Sequence, residues 1–336
     1  MGVAGSPAHP THWPSTMSDL VLTDVSVTYR RRDRLRVTAV AGVDLTLRAG
    51  EVVGLVGESG SGKSSLARAA LGLIPIGTGS VSFGGRPVTV LTARKRKVED
   101  TRLQMVFQNP YTSLNPRRRV GSQIADGVRV ARNVTGDELV AAVASRLTDV
   151  GLSAAIASRL PHQISGGQRQ RIAIARVLAA QPAVIVLDEP LASLDVSAQA
   201  QISNLLIAIR RQREVAMLII SHDLNAVSHV ADRIAVMYLG QIVEMGPTRD
   251  VFARPLHPYT KALLAAIPKA DGSGTLPEAP RGEVPDPARP PSGCRFHPRC
   301  PVAFERCPVD RPSLIAQTSG RKVACWLYPA EPSSAM

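Results

Sequence analysis

Short apolar runs bounded by turn residues recur along the chain, and their lengths predict buried strands. The segments 52–56, 183–187 and 215–220 are each five or six residues of almost unbroken apolar character. Runs of this length are typical of parallel strands that are covered on both faces of a sheet. A helix-like segment, Ser197–Arg211, separates the last two runs. The sequence therefore predicts an α/β core.

Other periodicities flank this core. The alternating β-rich runs Leu20–Tyr29 and Val43–Leu47 predict a small antiparallel sheet. Residues Asp137–Val150 carry apolar positions at helical spacing and are followed by Gly151, a typical residue at a helix C-terminus. We therefore expect a helical subdomain at about residues 109–177 and a further helix near Leu256–Ile267.

The two ends of the chain have a different composition. Residues 1–18 are rich in Pro, His, Ser and Thr and lack the basic and apolar regions of a secretory signal, so we expect a disordered tail, and Met17 could be the true start. Six prolines fall within residues 270–293, which is typical of a linker. The expected organisation is a tail (1–18), a main domain (19–268), a linker (269–293) and a Cys-bearing extension (294–336).

Charge and composition narrow the functional classes. The net charge of +13 favours polyanionic partners such as nucleotides, nucleic acid or an anionic membrane surface. Aromatic residues make up 4% of the chain, too few for a base-stacking platform. No apolar run approaches the roughly 18 residues that cross a bilayer. All four cysteines lie beyond residue 290, which fits a reducing, cytoplasmic setting.

One motif carries specific chemistry. The segment Gly57–Ser64 fits G-x-x-x-x-G-K-[ST], and it follows an apolar strand and opens a helix-forming run, as a phosphate loop requires. Lys63 would reach the β- and γ-phosphates, and the Ser64 hydroxyl would ligate Mg²⁺. A Gly/Ser-rich turn before a surface lysine is the weak alternative. The candidate nucleotide-binding residues here are Gly57, Ser59, Gly60, Ser61, Gly62, Lys63, Ser64 and Ser65.

A second motif supplies two carboxylates, one for Mg²⁺ and one for the attacking water. Asp188 and Glu189 follow the apolar run 183–187, at the end of a buried strand where ligands bind in open α/β sheets. Asp188 would hold the Mg²⁺ shell, and Glu189 would polarise the attacking water. An acidic pair that merely ends a strand before Pro190 is the alternative.

A second helix start has the composition of an anion site. Ser165, Gly166, Gly167 and Gln168 have capping-box spacing, and the glycines would let backbone approach a phosphate. Taken alone, these residues fit an ordinary capped helix equally well. One nucleotide at Lys63 needs only one such cradle.

Together these motifs resemble the ATP-binding subunit of an ABC transporter, over roughly residues 20–267. The resemblance implies a P-loop NTPase fold of the ABC ATPase type, with ATP and Mg²⁺ as its ligands. It also implies that Ser165–Gln168 is the signature segment, which contacts the ATP held by the opposite subunit of a two-subunit sandwich. The second phosphate-binding helix start would then bind the ATP of the opposite subunit.

The resemblance assigns further residues one by one. Gln108 matches the Q-loop glutamine, which senses Mg²⁺ and the γ-phosphate and faces the permease. Asp195 matches the D-loop at the dimer interface, and His222 matches the switch histidine on the γ-phosphate. Tyr29 matches the aromatic residue that stacks on adenine, although an aromatic in a β-rich segment is more often a packing residue.

Three further segments resemble the oligopeptide/dipeptide subfamily of these importers: Val106–Arg117, Leu194–Gln201 and His257–Leu264. That subfamily implies two membrane permease subunits, a second and related ATPase or else a homodimer of this chain, and an extracytoplasmic solute-binding protein. This subunit would be peripheral on the cytoplasmic face of the membrane, and no nucleic-acid partner is expected. Tyr111 looks more like the second of the two ATPases. Related members carry nickel or other small solutes, so the cargo stays open between these and peptides.

Two other classes of function share parts of this pattern. A soluble ABC-type ATPase acting on DNA or ribosomes has the same catalytic motifs and would suit a basic surface. Against it, the chain has one cassette, lacks a long coiled-coil insertion and has the permease-type segments. A module that senses ATP without hydrolysing it would leave Glu189 idle.

The C-terminal cysteines form a weaker pattern. Cys294, Cys300, Cys307 and Cys325 have the spacing C-x5-C-x6-C-x17-C, without the C-x2-C pairs of a zinc ribbon. Four thiolates suit one zinc ion or one [4Fe–4S] cluster, and unligated cysteines are a third possibility. The segment Gly293–Pro301 resembles the C-terminal piece of peptide-permease ATPases, some of which hold such a cluster there. The resemblance favours an iron–sulfur cluster with a structural role.

Overall fold

The computed structural model describes residues 19–31, 34–91, 101–109, 113–192, 194–267 and 282–329. The predicted tail, residues 110–112 with Tyr111, Ser193, and most of the Pro-rich linker lie outside these ranges. The predictions made for them are therefore not tested here.

The described strands run through the whole chain. In chain order they are β1 (Leu20–Arg30), β2 (Arg36–Leu47), β3 (Val52–Val56), β4 (Thr78–Phe83), β5 (Arg86–Pro87), β6 (Leu103–Val106), β7 (Val184–Asp188), β8 (Ala216–Ser221), β9 (Arg233–Tyr238), β10 (Gln241–Pro247), β11 (Ile315–Ala316) and β12 (Lys322–Val323).

The described helices lie between these strands along the chain. In chain order they are α1 (Lys63–Ala70), α2 (Val120–Arg132), α3 (Gly136–Asp149), α4 (Gly166–Ala179), α5 (Val196–Arg213), α6 (Leu224–Ser228), α7 (Thr248–Ala253) and α8 (Pro258–Ala265). Short 3₁₀ turns lie at Ala154–Ser158, Pro161–Gln163, His297–Arg299 and Thr318–Gly320. Among the described helices, none is both long and apolar enough to cross a bilayer.

The strands form two sheets. Strands β2, β1, β4 and β5 pair in that order as an antiparallel sheet, as the alternating runs predicted. The larger sheet has the order β11-β12-β10-β9-β3-β8-β7-β6. Its five strands from β9 to β6 are parallel, whereas β10, β12 and β11 are antiparallel additions at one edge. The predicted α/β fold with an antiparallel β subdomain is confirmed.

Both faces of the parallel strands are buried, which explains their continuous apolar character. In β7, Ile185 and Leu187 belong to one hydrophobic cluster, while Val184 and Val186 belong to the other. Successive side chains of a strand point to opposite faces, so each strand must be apolar throughout to fill both cores. The first cluster extends into helices α2, α3 and α4, and the second packs under α1 and the antiparallel sheet.

Helix α3 lies where the apolar spacing at 137–150 predicts a helix. Helix α3 ends as predicted beside Gly151, whose φ of +70° is the left-handed conformation that glycine adopts readily. The amide of Leu152 donates to the carbonyl of Leu147 (2.9 Å), which satisfies an otherwise unpaired helix-end carbonyl.

The C-terminal segment is built onto the main sheet. Strand β12 pairs with β10 through Val323 opposite Glu244, and β11 pairs with β12. Phe296 is fully buried within the larger hydrophobic cluster, and Cys294 and Cys300 pack against that cluster. The resemblance predicts a cluster with a structural role in this segment, and that prediction is not tested by the structure. Docking onto the core stabilises the segment.

Candidate functional site

Four loops converge because the parallel strands that precede them end at the same edge of the sheet. Val56 of β3 lies opposite Ser221 of β8, and Val106 of β6 lies opposite Leu187 of β7. The residues that follow these strands are therefore neighbours. They comprise the phosphate loop, Gln108, the Asp188–Glu189 pair and His222.

Glycine is required at both ends of the phosphate loop. Gly57 has φ +151°, and a Cβ atom there would lie 2.1 Å from the carbonyl oxygen of Met237. Gly62, which caps α1, has φ +104° and would place a Cβ atom 2.1 Å from the carbonyl oxygen of Ala39. Both positions combine left-handed backbone with contact to a neighbouring strand, so the loop cannot widen to accept a side chain.

Lys63 occupies the interior of the loop. Its Nζ donates hydrogen bonds to the carbonyls of Gly57 (2.7 Å) and Glu58 (2.8 Å) and to Ser61 Oγ (3.3 Å). Burial lowers the pKa of Lys63, against the opposing influence of Glu189, Asp188 and Glu58. The ammonium group thus lies at the positive end of helix α1. A bound anion would replace the loop carbonyls as its hydrogen-bond acceptor there.

The side-chain oxygens of Ser64 and Asp188 lie next to each other. The Ser64 hydroxyl donates to Asp188 Oδ1 at 3.0 Å. Burial raises the pKa of Asp188, and the hydrogen bond from Ser64 acts in the opposite direction. A hydroxyl and a carboxylate at this distance, next to a phosphate loop, are donors that suit Mg²⁺.

Glu189 and His222 form the second polar pair of the site. Glu189 Oε2 lies 2.8 Å from His222 Nδ1. The backbone amide of Glu189 donates to the Ile220 carbonyl (2.9 Å), and the residue has φ +51°, a conformation that non-glycine residues adopt at some cost. The chain turns sharply there and directs the carboxylate along the sheet edge to His222.

Two predicted residues lie on the rim of the site. Tyr29, at the end of β1, is exposed and its hydroxyl donates to Ser65 Oγ at 3.2 Å, which places its ring beside the start of α1. Gln108 follows β6 and its side chain is exposed.

The predicted capping box at the second helix start is present. The Ser165 amide donates to Gln168 Oε1 (3.1 Å), and the Gln168 amide donates to Ser165 Oγ (3.4 Å). A Cβ atom at Gly166 would meet nothing within 4 Å, so this helix end faces open space. Asp195 caps α5 by accepting from the Ala198 amide (2.8 Å), and Ala198 lies next to Gly167.

Several residues of the site were not identified from the sequence. The carboxylate of Glu58 in the phosphate loop accepts two hydrogen bonds from Arg299, and the backbone amide of Glu58 donates to the hydroxyl of Tyr259 (2.8 Å). Tyr259 and Arg299 lie in the segments His257–Leu264 and Gly293–Pro301, which resemble the peptide-permease ATPases. That resemblance did not indicate that both residues contact Glu58.

A buried charged network supports Tyr259. Glu244 is 0% exposed and accepts from the amides of Leu256 (2.9 Å) and His257 (2.9 Å) and from Arg321 (2.6 Å). His257 Nδ1 accepts from the Tyr259 amide (3.0 Å), and burial lowers the pKa of His257 to about 3. A neutral imidazole therefore caps α8.

The four cysteines come together around one small cavity. Cys294, Cys300, Cys307 and Cys325 line it with Phe296, His257 and Trp326 among the other residues. Burial raises the pKa of Cys294 to about 11 and also raises the pKa values of Cys300 and Cys325. Within the described ranges, no three His, Cys, Asp or Glu side chains are grouped so as to hold a metal ion.

Two family models match the chain. Residues 40–192, which contain the phosphate loop, Ser165–Gln168 and the Asp188–Glu189 pair, match the model described as ABC transporter. Residues 243–307 match the model described as oligopeptide/dipeptide transporter, C-terminal region. Glu244, His257, Tyr259 and Arg299 all lie within this second match.

Similar proteins agree with these matches. A probable peptide ABC transporter ATP-binding protein, y4tS, of Sinorhizobium fredii is 47% identical over 290 residues, which cover 86% of this chain and 82% of the relative. The di/tripeptide transport ATP-binding protein DppF of Pseudomonas aeruginosa is 45% identical over 86% of this chain and 90% of its own length. The solved dimeric, post-hydrolysis structure of the ATP-binding cassette MJ0796 with ADP and phosphate has a TM-score of 0.61 and 27% identity, covering 68% of this chain and 99% of that one.

The sheet, the phosphate loop and the carboxylate pair define an ATP-hydrolysing P-loop protein of the ABC type. Within that class, the chain belongs to the ABC transporter ATP-binding proteins that carry the oligopeptide/dipeptide transporter C-terminal region. Subunits of this class are peripheral to the membrane and act as dimeric ATPases with membrane permease subunits. The sequence prediction of the family is confirmed.

Proposed function

We propose that this chain is an ATP-hydrolysing subunit of an importer for dipeptides or oligopeptides, working at the cytoplasmic face of the membrane. The proposal is carried by the arrangement at one sheet edge, taken with the family match of the C-terminal region. The phosphate-loop Ser64 is hydrogen-bonded to Asp188, and the Glu189–His222 pair lies at the same sheet edge, in a chain whose C-terminal region matches that of oligopeptide/dipeptide transporters.

The residues divide the work of hydrolysis as follows. Lys63 leaves the loop carbonyls and binds the β- and γ-phosphates, while Tyr29 stacks on the adenine. Ser64, Asp188 and Gln108 would hold Mg²⁺, and the ion would supply neutralisation of the phosphate charge. Glu189 orients and polarises the attacking water, and His222 contacts the γ-phosphate and positions the Glu189 carboxylate, whose Oε2 lies 2.8 Å from its Nδ1.

The open helix end at Ser165 supports a two-subunit cycle. A Cβ atom at Gly166 would meet nothing within 4 Å, so this helix start leaves room for the nucleotide of an opposing subunit. In this proposal Ser165, Gly166, Gly167 and Gln168 of one subunit contact the ATP held by the other, and Asp195 lies at the dimer interface. The region of Gln108 transmits closure to the permease.

The peptide cargo rests on the relatives. The proteins from S. fredii and P. aeruginosa are described as peptide and di/tripeptide transport ATP-binding proteins, respectively, and both match this chain over most of its length. We extend that cargo to this chain, together with a related second ATPase and an extracytoplasmic solute-binding protein. Import of nickel is the alternative that the uptake experiment below distinguishes.

We also propose the organisation of the chain and a resident cluster. Residues 19–268 form the ATPase domain, residues 1–18 a tail, 269–293 a linker and 294–336 the extension. The extension would hold a [4Fe–4S] cluster through Cys294, Cys300, Cys307 and Cys325, which line one cavity. A single zinc ion draws its ligands more tightly together than a four-iron cluster does, so the absence of a single-ion grouping in the described part of the chain is compatible with the cluster.

Two experiments test these proposals. Tagged protein, purified from detergent-solubilised native membranes, should co-purify with two multi-span permease chains and a second ATPase, identified by mass spectrometry. Recovery only with ribosomes or DNA would overturn the transporter assignment.

Anaerobically purified protein should be brown and contain about four iron and four sulfide per chain. A colourless protein with stoichiometric zinc, or with neither metal, would refute the cluster.

A further inference from the structure

The C-terminal segment contacts the phosphate loop directly through one ion pair. Arg299 lies in the 3₁₀ turn His297–Arg299, and its Nη1 and Nη2 donate to Glu58 Oε2 (2.8 Å) and Oε1 (3.0 Å). The side chains are 4% exposed for Arg299 and 22% exposed for Glu58. Two parallel hydrogen bonds between a guanidinium and a carboxylate fix geometry as well as charge.

Glu58 is the second residue of the phosphate loop and is held at three points. Arg299 binds its carboxylate, the Tyr259 hydroxyl accepts from its amide (2.8 Å), and its carbonyl accepts from Lys63 Nζ (2.8 Å). Two of these contacts come from the C-terminal region, outside the ABC transporter match. The backbone that curls around the phosphates is therefore anchored by a part of the chain that is distant in sequence.

The charge of Glu58 needs compensation. A carboxylate in a loop that receives a triphosphate repels its ligand, and this carboxylate is close enough to Lys63 to influence its pKa. Arg299 supplies the opposite charge from a buried position, stacked beside the rings of Tyr238 (5.8 Å) and Phe296 (5.9 Å). The Tyr238 hydroxyl also accepts a hydrogen bond from Arg299 Nη1 (3.4 Å).

From these contacts we infer that Arg299 is a positioning residue for nucleotide binding, which neutralises Glu58 and holds the phosphate loop in its binding conformation. The C-terminal segment thereby sets the affinity of the ATP site. This inference rests on the ATP-binding function proposed above, and it adds to that function a dependence on a residue of the oligopeptide/dipeptide C-terminal region.

The test compares dissociation constants for a fluorescent ATP analogue and its ADP counterpart. Arg299→Met should weaken ATP binding about tenfold, the order expected for one uncompensated charge near a bound anion, and should weaken ADP binding less because ADP carries less charge. Arg299→Lys keeps the charge but loses the planar guanidinium that makes two parallel hydrogen bonds. Its dissociation constant for ATP should therefore fall between those of Arg299→Met and the wild type.

Rescue separates positioning from a purely structural role. The double variant Glu58→Gln with Arg299→Met removes both charges and should bind ATP within about twofold of the wild type, while Arg299→Met raises the KM for ATP with kcat at saturation little changed. Arg306→Met is the matched control, because Arg306 lies in the same segment and pairs with Asp310 at an exposed position. It should leave the affinity unchanged.

The outcomes are distinct. Wild-type affinity in Arg299→Met, or a folded double variant that binds as weakly as Arg299→Met, would overturn the inference. If Arg299→Met alone does not fold, as judged by circular dichroism, Arg299→Lys and the double variant carry the comparison. If the wild type does not bind ATP more tightly than Lys63→Ala does, the proposed function fails, and this inference fails with it.

Discussion

Replacement of Phe296 by alanine tests whether the C-terminal segment is part of the ATPase core. Phe296 is 1% exposed, and its ring centroid lies 5.3 Å from both Tyr238 and Tyr259 and 5.8 Å from His257. Burial of a phenylalanine side chain contributes about 2–3 kcal/mol, and the cavity left by truncation and the lost aromatic contacts add to this. We expect Phe296→Ala to lower the free energy of unfolding by about 4 kcal/mol.

The assay is urea denaturation followed by tryptophan fluorescence and by far-UV circular dichroism. Phe304→Ala is the matched control, because Phe304 lies in the same segment but is 43% exposed. Its loss should cost less than about 1 kcal/mol. Equal and small effects of both substitutions would refute the reasoning, since they would mean that Phe296 is not packed in the core of the folded protein.

Three further predictions concern the site and its support. Glu189→Gln keeps the shape of the side chain but removes the base, so ATP hydrolysis should fall by about 10²–10⁴-fold while ATP still binds. Lys63→Ala removes the cation of the phosphate loop and should weaken ATP binding itself, measured as the dissociation constant. His257 has a pKa of about 3 in the folded protein and an ordinary value of 6.5 when unfolded. Because the unfolded chain then binds more protons between these values, acidification from about pH 6.5 to pH 5 should cost the wild type about 2 kcal/mol more than it costs His257→Asn, whose side chain retains a capping oxygen.

Each of these predictions has a contrary result. Unchanged turnover in Glu189→Gln would favour an ATP-sensing module over an ATPase. Tight ATP binding by a folded Lys63→Ala would remove the phosphate loop from the site. Parallel pH profiles of the urea midpoint for the wild type and His257→Asn would show that the imidazole is not held neutral by burial.

The candidate residues at the sheet edge could be located in the fold from the sequence because their surroundings are encoded locally. The phosphate loop, Asp188–Glu189 and the capping box of Ser165 each combine a short motif with an adjacent strand or helix, and local pattern is enough to place them. Continuous apolar runs likewise indicated strands buried on both faces.

The contribution of the C-terminal region could not be derived in the same way. Arg299 and Glu58 are 241 positions apart, and the residues between them carry no signal that pairs them. Strands β11 and β12 are two residues long, too short for a recognisable alternation. The pairing of β12 with β10, and of β11 with β12, depends on tertiary docking, including the buried contact between Arg321 and Glu244.

The two halves together suggest how one subunit is assembled. The parallel sheet brings the candidate catalytic residues to one edge, and the C-terminal region contacts the phosphate loop through Tyr259 and Arg299. The residues proposed for hydrolysis and those that contact Glu58 thus come from separate parts of the chain, which the separate family matches at 40–192 and 243–307 also cover.

Uptake of a radiolabelled dipeptide and of nickel by a strain that lacks this chain tests the central claim most directly. Complementation with the wild type should restore ATP-dependent peptide uptake, complementation with Glu189→Gln should not, and nickel uptake should be the same in every strain. Loss of nickel uptake with normal peptide uptake in the deletion strain would contradict the account.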